Sequence, residues 1–413
     1  YDASKALTKN TYTKTGYTFL GWNTNKDATT ATYQDEASVK NLSSTNGATV
    51  TLYAIWKINT YTVNVVVQNG TVSQASKTIT YNETGTFTVS PSTGYGSPTV
   101  SCTNSQTASI SGTTLTTGKI TNNTTCTVAY NPITYTVAYQ MNGASSKSNT
   151  TWTYDAAYNL PNPSKTFTVN ITNSASGTLS ATSASKAQTF KGWTTSTSAG
   201  LNTTNANIGT TSNPATSWDG SLTTNTYFKN LRSSSGTVTL TANWTPVPVT
   251  LPTITKTGYI CGYATTSGGA ITYSSGGSYT PDATAGSTTL YTVCTKNSYT
   301  ITTTANGGTI TASTTNPSYD AEFNIKASKT ITVTGDENGT GATVGNPVST
   351  AQKFAGWTST SGLNTTTAKY GTASGGATTS WASASTKVGG ATTYFKNLTP
   401  TANGSVALVA NWS

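Results

Sequence analysis

Three stretches of this chain repeat one pattern, and recurrence of that kind restricts a chain to an array of similar modules. Gly16-Tyr17-Thr18-Phe19-Leu20-Gly21-Trp22 is followed by Val39-Lys40-Asn41-Leu42, then by Val50-Thr51-Leu52-Tyr53-Ala54-Ile55-Trp56. In the same order, Phe190-Lys191-Gly192-Trp193 leads to Phe228-Lys229-Asn230-Leu231 and to Val238-Thr239-Leu240-Thr241-Ala242-Asn243-Trp244. The last copy has Phe354-Ala355-Gly356-Trp357, Phe395-Lys396-Asn397-Leu398 and Val406-Ala407-Leu408-Val409-Ala410-Asn411-Trp412. The two later copies are near relatives: Tyr135 and Tyr299 lie 164 positions apart, as do Trp193 and Trp357. Each also carries a Tyr-Asp-Ala step, at Tyr154 and Tyr319, and the first copy opens on the same step, Tyr1-Asp2-Ala3. The segment is therefore expected to begin inside a repeat whose first strand is missing.

Two divergent units lie between the copies. One opens with Tyr61-Thr62-Val63-Asn64-Val65-Val66-Val67; the other contains Lys256-Thr257-Gly258-Tyr259, the same four residues as Lys14 to Tyr17. Boundaries just after each closing aromatic give five modules, 1–57, 58–132, 133–245, 246–297 and 298–413. Short joints, partly stiffened by Pro246 and Pro248, predict beads in a semi-rigid row. The closing stretches alternate with period two, which reads as half-buried strands. The Gly-Trp pair fits a strand ending in a tight turn, with the aromatic folded over the core. The Val-Lys-Asn-Leu segment fits one short helical turn, and no long amphipathic helix is in sight. The expected fold class is mainly β, an elongated tandem array of small β modules.

Composition agrees. Only 8% of residues are charged and 34% hydrophobic. Low charge argues against disorder by self-repulsion, and low hydrophobicity argues against one large core. Small modules with thin cores and Thr-rich outer faces satisfy both constraints. The net charge of +10 suits anionic polymers or simply keeps a charge-poor surface soluble. Its cations are scattered singly, without the runs that mark nucleic-acid arms. No stretch approaches the roughly 18 apolar residues of a membrane helix, so no membrane span is expected.

The absence of His removes the commonest general base and metal-binding imidazole. None of the 12 acids recurs at a spacing that would set two carboxylates across a substrate. Ser and Thr lack an evident base partner, and there is no phosphate loop. No catalytic residue, cofactor or metal ligand is expected, and the chain reads as a non-enzyme. Asp336-Glu337-Asn338-Gly339 could offer oxygens to calcium but reads better as a turn. Asp155 and Asp320 read as turn or strand-end hydrogen-bonding residues.

At Gly16 to Trp56 the sequence resembles the Listeria–Bacteroides repeat, or internalin B-repeat, of bacterial surface proteins, whose pattern is Gly-Tyr-x-Phe-x-Gly-Trp followed by Val-x-Leu-x-Ala-x-Trp. The resemblance covers the first, third and fifth modules well and the fourth and second progressively less. It implies a β-grasp-like module, a curved sheet over a short helix, on secreted or wall-attached proteins of mostly Gram-positive bacteria, without catalysis. The third and fifth modules carry insertions, Asn170 to Ser185 and Thr334 to Thr350, expected to add strands.

Four cysteines form two local pairs, Cys102 with Cys126 and Cys261 with Cys294. An even count in an apparently extracellular chain favours disulfides, with zinc as the rival. Leu290 to Cys294 aligns with Leu52 to Trp56, and Gly258 to Tyr263 aligns, one residue short, with the Phe19 to Trp22 region. Both cysteines of the fourth module thus replace core aromatics, as a covalent staple would.

Phe19, Trp22, Trp56, Phe190, Trp193, Trp244, Phe354, Trp357 and Trp412 sit at repeat-equivalent positions and are expected to form the module cores. Trp218 and Trp381, in polar insertions, are the candidates for exposure and contact. The functional expectation is a stalk, spacer or adhesive repeat array outside the cell, whose partners are its own flanking repeats. Alternatives are a self-associating filament of like chains, and a module binding host-surface or cell-wall glycans.

Overall fold

A computed structural model describes residues 1–334 and 345–413. The turn-or-calcium segment Asp336 to Gly339 lies outside the described residues. All regular structure among them is β-strand. By contact the chain divides into two compact units, 1–141 with 146–162 and 191–243, and 142–145 with 163–190 and 244–413.

The first unit holds the first two modules and most of the third. In the second module, Thr124–Pro132 lies between Thr60–Gln68, which it pairs in parallel, and Tyr95–Cys102, which it pairs antiparallel. In the third, Thr134–Gln140 runs parallel to the closing strand Thr237–Thr245. Alternating Val238, Leu240 and Ala242 are fully buried beneath a Thr-rich outer face, which is why these polar segments make stable strands. Trp193 is fully buried, its ring 6.1 Å from that of Tyr139 on the opening strand.

The second unit repeats this arrangement in the fifth module. Thr300–Thr304 pairs in parallel with Ser405–Trp412, which pairs antiparallel with Phe354–Ser361. A second sheet contributes Phe323, Ile325 and Phe395 to the same core. The fourth module departs from the rule. Its closing strand, Ser287–Lys296, takes its parallel neighbour from the third module's insertion, Lys165–Thr172. That strand forms a hairpin with Ser183–Thr194, pairing Lys165 through Asn170 with Gln188 through Ser183. Phe167 and Val169 enter the fourth module's core beside Tyr263 and Leu290.

The first module has no such neighbour. Its closing strand, Tyr53–Ile58, pairs among the described residues only with Tyr17–Asn23. It is 6 residues long, against 8 to 10 in the other four.

Several expectations need correction. The Gly-Trp strand does not end in a turn. It continues through a β-bulge, with the register slipping between Phe19 and Gly21 and between Phe354 and Gly356. Gly21 has φ +133° and Gly356 φ +112°, backbone that a side chain rarely adopts. Nor is Val-Lys-Asn-Leu a helical turn, because Asn41, Asn230 and Asn397 stand in the left-handed region with φ of 55°. Trp218 and Trp381 are buried, not exposed. Their indole N–H groups donate to the Ser221 and Thr386 carbonyls, so their rings can pack on Phe228 and Phe395.

Of the closing tryptophans only Trp244 is buried; Trp56 and Trp412 are half-buried, as are Phe19, Trp22, Phe190 and Phe354. The phenylalanine, not the Gly-Trp indole, is the closing ring's neighbour: Phe19 lies 5.2 Å from Trp56, Phe190 5.4 Å from Trp244 and Phe354 5.3 Å from Trp412. Trp412 sits at a strand end, covering Gly308 and donating to the Ala305 carbonyl, with one edge in solvent.

Trp357→Ala is therefore expected to destabilise the fifth module by about 3 to 5 kcal/mol, and Trp412→Ala by clearly less. Hydrogen exchange across Ser405–Trp412 measures both; equal losses would contradict the burial difference.

Candidate functional site

The features that recur with the least variation are polar locks and joints. In three modules the Asp of the Tyr-Asp-Ala step and the Asn of the Lys-Asn-Leu segment exchange hydrogen bonds. The Asp320 N–H donates to Asn397 Oδ1 at 2.5 Å, and Asn397 Nδ2 returns a bond to Asp320 Oδ1 at 2.9 Å. Asp155 with Asn230 and Asp2 with Asn41 repeat the exchange. Both partners occupy left-handed backbone, with φ between 55° and 63°, which Asp and Asn tolerate better than other side chains.

A joint leads from each of three modules into the next. Gly16, Gly94 and Gly258 have φ of +80°, +82° and +79°, and each lies under a tyrosine of the following module: Tyr81, Tyr154 and Tyr319. A Cβ on any of these glycines would come within 2.3 Å of a ring atom, so the position requires glycine twice over. The backbone passes through the joint in the same way each time. The Asn297 N–H donates to the Gly258 carbonyl at 2.9 Å, and the Tyr319 N–H donates to the Asn297 carbonyl at 2.7 Å. Asn59 with Tyr81 and Ile133 with Tyr154 occupy the same places in the other two joints.

The tyrosine after the glycine completes two of these joints. Tyr95 and Tyr259 donate their hydroxyls to Oδ2 of Asp155 and Asp320 in the next module. In the first joint Asn82 replaces the carboxylate, and Thr18 donates to Asn59 Oδ1 instead. A different device serves the link after the third module, where buried Gln188 accepts from the Val247 N–H at 2.7 Å and donates to the Val247 carbonyl at 3.1 Å.

The electrostatics follow from these contacts. Burial pushes the Asp155 carboxyl up, but hydrogen bonds from Tyr95 and Asn230 and the nearby Lys229 outweigh it and hold the group below its ordinary value. Asp320 is lowered likewise against burial, by Tyr259, Asn397 and nearby lysines. The Tyr95 hydroxyl is pushed up to about 12, chiefly by its bond to Asp155. The reading of Asp155 and Asp320 as turn residues caught the lock and missed the joint. The signal lay in the pairing of Gly-Tyr in one module with Tyr-Asp in the next.

Both cysteine pairs are disulfides. Cys102 faces Cys126, and Cys261 faces Cys294, directly across antiparallel strands. The Cα separations of 4.0 and 4.1 Å fall just under the usual range, as expected for residues directly opposed in a ladder. Cys261 and Cys294 are register partners as Phe19 and Trp56 are in the first module and Phe354 and Trp412 in the fifth. The fourth module is one residue short because its strand lacks the bulge.

No group of three or more metal-ligating residues occurs among the described residues. Comparison with known proteins found no matching family, curated protein or solved structure.

The pH dependence of the second joint has a definite sign. A raised tyrosine pKa stabilises the folded joint below about pH 10 and loses that contribution as pH climbs towards 12; a lowered Asp contributes above its ordinary range and is lost as pH falls through it. Tyr95→Phe should cost about 1 kcal/mol at neutral pH, with the difference in melting temperature vanishing at both extremes. A constant difference from acid to alkali would refute the Tyr95–Asp155 coupling.

Proposed function

We propose that this chain is a non-catalytic structural segment of a bacterial cell-surface protein, a stalk or spacer built from tandem β modules. The observation that carries this reading is the recurrence of one joint in three places, with the glycine, the covering tyrosine and the backbone relay repeated each time. A chain that spends its scarce carboxylates on holding one module to the next invests in the connection itself. The two disulfides fit an oxidising compartment, and the resemblance to the internalin B-repeat supports a place on the outside of a Gram-positive cell. Trp218 and Trp381 are buried and offer no aromatic face to a sugar, which removes their support for glycan binding.

Antibody against the chain should label intact cells of the source organism; labelling only after lysis would sink the surface reading. The mechanical part is tested by pulling single molecules. Modules should yield in separate steps, and reduction should release the 24- and 33-residue loops closed by the disulfides, adding about 200 Å of extension at roughly 3.5 Å per residue. One undivided unfolding event would contradict independent modules.

A further inference from the structure

The fourth module shows how a module without its own opening strand is completed, and the rest of the chain holds an unused copy of each half of that arrangement. The donor half is the hairpin of the third module, whose Phe167 and Val169 are fully buried in the fourth. Shifted by 164 positions, the same hairpin recurs in the fifth module, where Thr330–Val333 pairs with Val348–Ala351. The register is the same: Thr166 faces Ala187 and Val169 faces Ala184, as Thr330 faces Ala351 and Val333 faces Val348. Here the residues corresponding to Phe167 and Val169 are uncovered, Ile331 at 42% and Val333 at 66% exposure, with Val348 also at 66%.

The acceptor half is the first module, which follows the fourth in plan. Lys5–Ala6 pairs with Ser38–Val39 as Val249–Thr250 pairs with Ser278–Tyr279, and Phe19 faces Trp56 as Cys261 faces Cys294. In the fourth module Tyr263 and Leu290 are fully buried under the donated strand. Their counterparts Trp22 and Leu52 are half-buried and line, with Leu7 and Tyr12, an open cavity of about 350 Å³. Ser287 to Tyr291, which receive the donated strand, correspond to Thr49 through Tyr53, and of these Thr49 to Leu52 belong to no strand. Of the nine exposed large hydrophobic side chains among the described residues, Ile331, Val333 and Val348 lie on the donor hairpin, and Tyr1, Tyr12 and Tyr53 on the first module.

The geometry points to head-to-tail association between copies of this chain: the Thr330–Val333 hairpin of one copy lies parallel to Thr49 through Tyr53 of the next, with Ile331 and Val333 entering the cavity over Trp22 and Leu52. The occupant is a second copy because the donor matches the acceptor in strand direction, register and apolar spacing, through an arrangement the chain already uses within itself. This association goes beyond the stalk reading. A strictly monomeric chain would leave that reading standing, and failure of surface labelling would leave this association standing.

Cross-linking of the full chain tests it. Thr168 and Ser287 are register partners, so Thr332 and Thr49 are predicted to face each other between copies. All four native cysteines are already in disulfides and will not interfere. Under mild oxidation the Thr49→Cys, Thr332→Cys double variant should form a ladder of covalent oligomers on non-reducing gels. A mixture of the two single variants should give a heterodimer. Adding Ile331→Asp and Val333→Asp, on an exposed hairpin where folding survives, should abolish the ladder and return the sedimentation of the unmodified chain to that of a monomer at every concentration. Absence of a ladder from the double variant, or a ladder that persists with both aspartates in place, overturns the proposal.

Discussion

Everything in these modules is arranged around the closing strand, which needs a neighbour on both edges. An edge left open presents unpaired N–H and C=O groups and leaves one side of a thin core without cover. In the second, third and fifth modules the opening strand of the same module supplies the parallel neighbour. Burial of the Gly-Trp indole follows from that pairing. Trp193 and Trp357 are fully enclosed where the opening strand is present, and Trp22 is half-exposed where it is not. For a chain with 34% hydrophobic residues this dependence is sharp, because no second apolar layer stands behind the first.

The polar locks serve the same end at the opposite side of each module. Asp and Asn in left-handed backbone fix the entry to the module, while the opening tyrosine reaches the same place from within. Tyr135 and Tyr299 accept hydrogen bonds from the Leu231 and Leu398 N–H groups, with their hydroxyls buried. Step, lock and opening strand are thus one assembly, and the preceding module adds to it through the glycine and tyrosine of its joint. Neighbouring modules are coupled by this contact, as in other repeat arrays where stability is a sum of internal and nearest-neighbour contributions.

Much of this was legible in the sequence, for a physical reason: the closing strands alternate with period two, and their aromatic ends recur. Even the one-residue deficit of the fourth module was visible, and its cause is a missing bulge. What stayed hidden was non-local or masked by polar surroundings. Trp218 and Trp381 sit among Thr, Ser and Asp, yet a second sheet folds them inward onto Phe228 and Phe395. The left-handed Asn41, Asn230 and Asn397 resembled a helical turn because a single positive φ leaves no periodic trace. The lending of Lys165–Thr172 to another module could not be seen at all, since strand pairing across modules is written in neither of the paired segments alone.

The fourth module shows why such lending and a disulfide occur together. Where the first and fifth modules set a phenylalanine against a tryptophan across two antiparallel strands, this one sets Cys261 against Cys294. That exchange gives up a large part of the apolar area the ring pair would bury, and area is the main source of stability in a module this small. The disulfide offsets the loss from the other side of the equilibrium, by restricting the unfolded chain over a 33-residue loop. Phe167 and Val169 offset it within the core, by restoring apolar volume from outside the module's own sequence. Neither device suffices alone: a staple without the donated strand leaves the core uncovered, and the donated strand without the staple leaves Cys-sized side chains where rings should be. The fourth module is in that sense not a separable domain, because part of its core is encoded in the insertion of its neighbour.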